Sequence, residues 1–232
     1  MECQVVEISL KIFLLEDITV DQVSEKITAF LDKGFGTDPR LLEYHETNKY
    51  KGYSYGAFQP IEKDKLYKAG KVYTITIRTL LPELAKYFSE VCPNVYTREI
   101  KGLTASLRIV PKRMIQTLLA ATPVILKSDN GYWRPHQTLA EFEELLKVNM
   151  IKKWNYFHGE KIDENFQWYT MIEFLNKKPI AVKYKNIKLL GDKIRLTIAD
   201  NKQAQDISYL ALATGLGEMN ARGAGFVRYQ WM

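Results

Sequence analysis

The chain reads as an α+β protein of two tandem ferredoxin-like domains, each an RRM-like βαββαβ unit, with a glycine-rich loop close to its C-terminus. Two observations predict this. The order strand, helix, two strands, helix, strand occurs in residues 1–110 and again in residues 114–232, and four of the thirteen glycines fall between Gly215 and Gly225. The two units join near Val110 to Arg113. A single larger α+β sheet is the rival architecture.

In the first unit, Val5, Ile8, Leu10, Ile12 and Leu14 recur largely at period two with a β-branched bias, the pattern of a half-buried strand. Thr19 with Gln22 forms a capping box for a helix carrying Val23, Ile27, Phe30 and Leu31, which Gly34 ends. The loop GFGTDPR follows. Strand-like pieces come next at Leu41 to Tyr44, Tyr53 to Phe58 and Val72 to Thr79. Pro82 opens a second helix with Leu84, Tyr87, Phe88 and Val91 on one side, and Thr104 to Val110 is the closing strand.

The second unit starts with an apolar, strand-like run from Met114 to Leu126, broken at Pro123. Thr138 and Glu141 make a second capping box, before a helix bearing Leu139, Phe142, Leu145, Leu146, Met150 and Trp154. Strands are expected at Gln167 to Phe174, Ile180 to Lys185 and Lys193 to Ile198. Asp200 with Gln203 caps a helix of Ala204, Ile207, Leu210 and Ala211, and Phe226 to Trp231 is the final strand.

With 46% apolar and 26% charged residues in 232, the composition is that of a folded protein rather than a disordered one. Charge interrupts every apolar stretch well before the length of a membrane span, and the N-terminus lacks the pattern of a signal peptide, so no membrane association is expected and the cytoplasm is the expected compartment. Cys3 and Cys92 are too few for a disulfide framework and read as small apolar residues. Lys and Arg exceed Asp and Glu by 33 to 27, a net +6 that suits a polyanionic partner.

The glycine segment GLGEMNARGAGF, Gly215 to Phe226, is neither a P-loop, which needs Gly-Lys-Ser/Thr, nor a dinucleotide fingerprint, because Asn220 stands where the third glycine belongs. Its glycines permit positive φ and close backbone approach. Exposed amides together with Arg222 would form a concavity for phosphate; the alternative is a turn that only packs on a neighbouring strand. A second unusual stretch, YHETNKYKGYSYGAFQP from Tyr44 to Pro60, crowds one His, two Lys and four Tyr into a segment too polar for core and too aromatic for a simple turn. Its plainer reading is a surface histidine beside cross-strand tyrosine pairs.

Gly215-Leu-Gly217, five residues, then Gly223-Ala-Gly225 resembles the C-terminal glycine-rich loop of the CRISPR repeat-processing endoribonucleases of the RAMP superfamily. The stretch of His45, Lys51, Tyr53, Ser54, Tyr55 and Phe58 is similar to that family's region after the first helix. The resemblance implies two ferredoxin-like domains, the N-terminal one (1–110) carrying the catalytic His and the C-terminal one (114–232) carrying the RNA-binding loop. It also implies metal-independent cutting within CRISPR repeats, with no cofactor, that leaves 5′-hydroxyl and 2′,3′-cyclic phosphate ends. That chemistry needs a base for the 2′-hydroxyl, a cation for the charge growing on phosphorus and an acid for the departing oxygen. His45 is the acid or base and Lys51 the cation. Some members place a catalytic Tyr where this chain has Phe30, and Tyr44, Tyr50 or Tyr53 stands in for it.

RNA-binding residues expected on these grounds are Lys49, Lys112, Arg113, Gly215, Gly217, Asn220, Arg222, Gly223 and Gly225. Lys152 with Lys153, and Lys183 with Lys185 and Lys188, are further basic clusters, the pair Lys183 and Lys185 sharing one face of a strand. No RNP1 motif supports readout on a sheet face. His136 in a loop and His158 at a helix end lack metal-ligand spacing, so no metal site is expected. The implied partner is CRISPR repeat RNA, with other effector-complex subunits or a second copy of the chain as further candidates. A non-cleaving RAMP scaffold that holds repeat RNA is the alternative function, and an enzyme with a small phosphorylated ligand at the glycine loop is a third.

Overall fold

The computed structural model describes residues 4–36, 39–47, 49–184 and 187–232, without the side chains of residues 39, 40, 45, 46 and 184. The first half comprises β1 (Val5–Leu14), β2 (Ile18–Thr19), α1 (Val23–Phe35), α2 (Pro39–Glu46), β3 (Tyr53–Tyr55), β4 (Leu66–Tyr67), β5 (Val72–Thr79), α3 (Pro82–Lys86) and β6 (Ile100–Val110). The second comprises β7 (Ile115–Ala120), α4 (Leu139–His158), β8 (Tyr169–Phe174), β9 (Ile180–Tyr184), β10 (Ile187–Gly191), β11 (Ile194–Ile198), α5 (Lys202–Thr214) and β12 (Val227–Trp231). Two four-stranded antiparallel sheets result, β3-β5-β1-β6 and β12-β7-β11-β8. Numbered within each repeat, both sheets have the order 4-1-3-2, so the expected tandem ferredoxin-like fold is the one adopted.

The alternation in β1 has a direct structural use. Ile8, Leu10, Ile12 and Leu14 are fully buried against α1 and α3, whereas Val5 on the opposite face joins the core of the second half. Helix α5 explains why both faces of that sheet are covered. Its residues from Ile207 to Thr214 are all buried, because it contacts α4, β7 and β11 on one side and β1, β3 and β5 on the other.

The halves are also joined by polar pins. Glu7 and Arg78 form a buried ion pair at 2.7 Å, and Arg78 donates to Val227 O at 2.7 Å while its guanidinium lies over the rings of Phe226 and Tyr229. Arg108 reaches the other oxygen of Glu7. Burial raises the Glu7 carboxyl, but Arg78 first and Arg108 second outweigh it, so the group is held below its ordinary range. The Tyr209 hydroxyl accepts from Val5 N–H and donates to Val110 O, tying α5 to the first strand and the last residue of β6.

Several expectations require correction. Leu41 to Tyr44 is helical, within α2, because three apolar side chains in four residues do not distinguish period two from 3.6. Helix α1 starts at Val23 with Gln22 as its N-cap; Gln22 Oε1 accepts from both the amide and hydroxyl of Thr19, which sits in a small β2-β4 ribbon. In α5 the cap is Asn201, whose side chain accepts from Ala204 N–H, one residue beyond the expected Asp200. Helix α3, the one expected to open at Pro82, is short, passing at Tyr87 into a π turn and then a 3₁₀ turn at Cys92. A hairpin of β9 and β10 is added to the second repeat. The Thr138–Glu141 box is present as expected, with both of its reciprocal bonds.

Candidate functional site

A cavity of about 570 Å³ opens where four segments meet: the chain just before β3, Lys127 after β7, one side of α4, and the glycine loop between α5 and β12. Lys49, Lys51, Lys127 and Arg222 supply positive charge to its lining, Glu218 negative charge, and Tyr50, Tyr53, Tyr156 and Phe157 apolar surface.

The glycine loop is a closed structure rather than an open cradle. All four motif glycines have positive φ, between 64° and 88°. At Gly225 two constraints coincide, since a Cβ there would also strike Leu216 O. Leu216 N–H donates to Gly225 O, Gly225 N–H to Pro123 O, and Glu218 N–H to Ile125 O, so most of the loop's amides are used inside the protein. Asn220 is the centre of this arrangement. Its side-chain amide donates to Leu216 O and Ala224 O across the loop. Among the described residues, the amides of Met219, Asn220 and Ala221 donate to no protein acceptor, and these three residues line the cavity. Met219 has left-handed φ and precedes a right-handed 3₁₀ turn, Asn220–Arg222, the backbone sequence that turns successive N–H groups to one side.

Arg222 reaches across to the first half and pairs with Asp32 near the end of α1. Gly223 lies against Ser24 and the Tyr55 hydroxyl, so its lack of a side chain lets the loop dock on α1 and β3.

The other wall is built differently. Lys51 Nζ donates to Tyr44 O and Thr47 O, both at 2.6 Å, and lies 5.1 Å from the Tyr44 ring centre. It thereby holds the C-terminal end of α2, where cations are favoured. Burial, then the charge of Arg222, lowers its pKa, with Asp32 opposing. The Tyr44 hydroxyl donates to Tyr50 O, and burial raises its pKa. Tyr50 contacts Tyr156 edge to face, with ring centres 5.4 Å apart. His45 falls in the last turn of α2, and its side chain lies outside the described residues.

The structure thus brings Lys49, Tyr50, Lys51, Gly217, Asn220 and Arg222 to one cavity. Tyr53, Ser54, Tyr55 and Phe58 are core although their segment reads as too polar for it, because β3 is covered by the glycine loop and α5 and Tyr55 bonds to α1. Lys112 is not at the cavity: it pairs with Asp206 at 2.9 Å, roughly 12 Å along α5 from Thr214. Its neighbour Arg113 is exposed on the same linker. Lys183 pairs with Glu25 at 3.3 Å, and Lys185 lies outside the described residues, as does Cys3. His158 ends α4, its Nδ1–H donating to Trp154 O with the two rings stacked at 4.0 Å.

Lys153 corrects the expected surface pair with Lys152. It is 2% exposed, and its Nζ donates to Gly215 O and Asn220 Oδ1, each at 2.8 Å, and to Thr214 O at 3.4 Å. The signal was present in the sequence. Lys153 continues the Phe142, Leu146, Met150 stripe at helical spacing, a position that faces the core.

Residues 108–229 match the family described as CRISPR associated protein Cas6, C-terminal. No curated protein sequence matches the chain. Solved structures share its fold over nearly the full length. One described as CRISPR associated protein Cas6 has 21% identity and a TM-score of 0.72, covering 97% of this chain and 99% of that one. A RAMP protein described as binding different RNA substrates has 16% identity and a TM-score of 0.73 over the same shares. A Cas6 from Thermus thermophilus has 13% identity and a TM-score of 0.62, covering 99% of this chain and 100% of that one.

Proposed function

The chain belongs to the Cas6 family of CRISPR-associated proteins, and we propose that it is an endoribonuclease that binds CRISPR precursor RNA at each repeat and cuts it there without a metal ion. Residues 1–110 and 114–232 act as two units that close on the RNA together. The observation carrying this reading is the cavity itself, which cations from both halves line together with Met219 to Ala221, whose amides donate to no protein acceptor among the described residues, around a space of a size suited to a phosphate and its sugar. The 2′-hydroxyl next to the scissile phosphate is the nucleophile. Attack forms a 2′,3′-cyclic phosphate and releases a 5′-hydroxyl.

Each residue contributes what its environment allows. His45 serves as general acid or base, since an imidazole is the side chain best poised for proton transfer near neutrality. Lys51 stays on the α2 carbonyls, where it orients the helix end bearing His45 and adds positive potential for the transition state. Tyr50 is better placed than Tyr44 to touch substrate, because the Tyr44 hydroxyl is already engaged. Arg222, the glycine loop and Lys49 hold the phosphate backbone. Lys112 and Arg113 lie away from the cut.

The test is cleavage of an end-labelled repeat RNA in EDTA by the native protein and by His45→Ala. One cut, lost on substitution with binding retained, supports the nuclease reading, and a repeat with 2′-deoxyribose at that site should bind but stay whole. Tight binding without a cut by either protein would replace it with the scaffold reading.

A further inference from the structure

Lys153 is used by no step above, yet it is the most deeply buried charge at the cavity. An ammonium group has three N–H donors, and here three loop acceptors meet them: Gly215 O, Thr214 O and Asn220 Oδ1. Asn220 passes this hold on, through its amide, to Leu216 O and Ala224 O. A helix of the second half therefore grips the start and the middle of the glycine loop through one side chain. No carboxylate is hydrogen-bonded to Lys153 among the described residues.

We propose that Lys153 is a positioning residue that shapes the glycine loop from beneath and couples the loop's hold on RNA to the protonation of one buried amine. The inference rests on the reading of the cavity as an RNA site. Its physical basis is a mismatch between the free and occupied states. In the free protein burial lowers the Lys153 pKa to about 7, with the charge of Glu218 opposing the shift. A neutral amine has two donors for three acceptors, so its third contact is lost. Phosphates in the adjacent cavity favour the charged form, so RNA binding takes up a proton whenever the pH lies above the free-state value.

The sign follows from linkage. A group whose pKa rises on binding makes affinity greatest at low pH and weaker as pH climbs through the free-state value. Other charged groups share this space. Lys49 and Lys51 come from the segment before β3, Lys127 from the segment after β7, and Arg222 and Glu218 from the loop, while Asp32 meets Arg222 from α1. The tyrosines Tyr50, Tyr53 and Tyr156 also line it. His45→Ala controls for any part the imidazole plays in the pH dependence.

The experiment measures the Kd of native protein, Lys153→Met, Lys153→Arg and His45→Ala for repeat RNA with 2′-deoxyribose at the cut site, from pH 6 to 9. Native affinity should fall as pH rises above 7, by at most about tenfold per unit for one proton. His45→Ala should keep that fall. Lys153→Met should bind about tenfold more weakly at pH 6.5 and lose the slope. Lys153→Arg, charged throughout, should recover affinity with a flat profile. Native affinity and native slope in Lys153→Met would overturn the proposal. A native protein that binds no RNA at any pH instead overturns the functional reading. The loop is then judged alone, by NMR titration of the Lys153 side chain and Asn220 amide in the free protein. Midpoint near 7 with a coincident shift of the Asn220 amide supports it; an ordinary lysine midpoint above 10 with an unmoved amide rejects it.

Discussion

The two walls of the cavity are made by opposite means. On one side the glycine loop is specified by backbone: positive φ at Gly215, Gly217, Gly223 and Gly225, and, at all but Gly223, carbonyls so close that a methyl group has no room. On the other, the end of α2 is held by a side chain, with Lys51 bonded to two carbonyls and Tyr44 to a third. A backbone device admits one residue type at each position, so its spacing is distinctive. A side-chain device can be rebuilt from other residues, so spacing alone defines it poorly.

This contrast can be broken most severely at Gly225. Replacing it with Val imposes an L side chain at φ 66° against Leu216 O, which should cost about 3 kcal/mol or more. Thermal unfolding and RNA binding would both show it, and an unchanged melting temperature would mean that the loop is far more pliable than its hydrogen bonds indicate. Lys51→Met comes next. The expected result is a cleavage rate down about 100-fold, from loss of transition-state charge and of the α2 anchor, with RNA affinity nearly unchanged. Equal losses in rate and affinity would move Lys51 from chemistry to binding.

Arg222→Ala should weaken RNA binding by about tenfold, since it removes a phosphate-binding fork. Asp32→Ala should do less, freeing the fork without deleting it, and a larger effect than that of Arg222→Ala would make the Asp32 pair a structural strut first. Buried Lys153 also sharpens the comparison through stability. Its folded pKa, about 7, is below its ordinary 10.5, so the unfolded chain binds more protons between those values and stability rises with pH across that window. The gain over Lys153→Met, read from urea unfolding at pH 7 and 9, should be up to about 1.4 kcal/mol per pH unit. Lys112→Ala closes the series. Its ion pair with Asp206 is partly exposed and distant from the cavity, so RNA affinity should stay within about twofold and stability within about 0.5 kcal/mol.

What the sequence made legible follows the same division. Strand β1, the Thr138 capping box and the glycine motif carry local signals that tertiary packing reinforces, and each appears where expected. Leu41 to Tyr44 was misread because an apolar run shorter than two helical turns has no period of its own. The segment holding Tyr53 and Tyr55 reads as too polar for core, but Tyr55 meets Thr28 and Ser24 inside the fold. Pairings such as Lys153 with Asn220, 67 residues away, exist only in three dimensions. Charge counting placed Lys153 outside; its helical register placed it within.

The cavity draws its walls from residues 49–53, 153–157 and 214–222, and its scaffold from Arg78, whose acceptor Val227 follows 149 residues later. A ribosome therefore makes the lysine-bearing wall long before the wall that completes it. While the second half is still being synthesised, Arg78 has no carbonyl to meet and Arg222 does not yet exist. Competence arrives all at once, when residues 214–227 have been made, so a chain that stops short of them has no formed cavity.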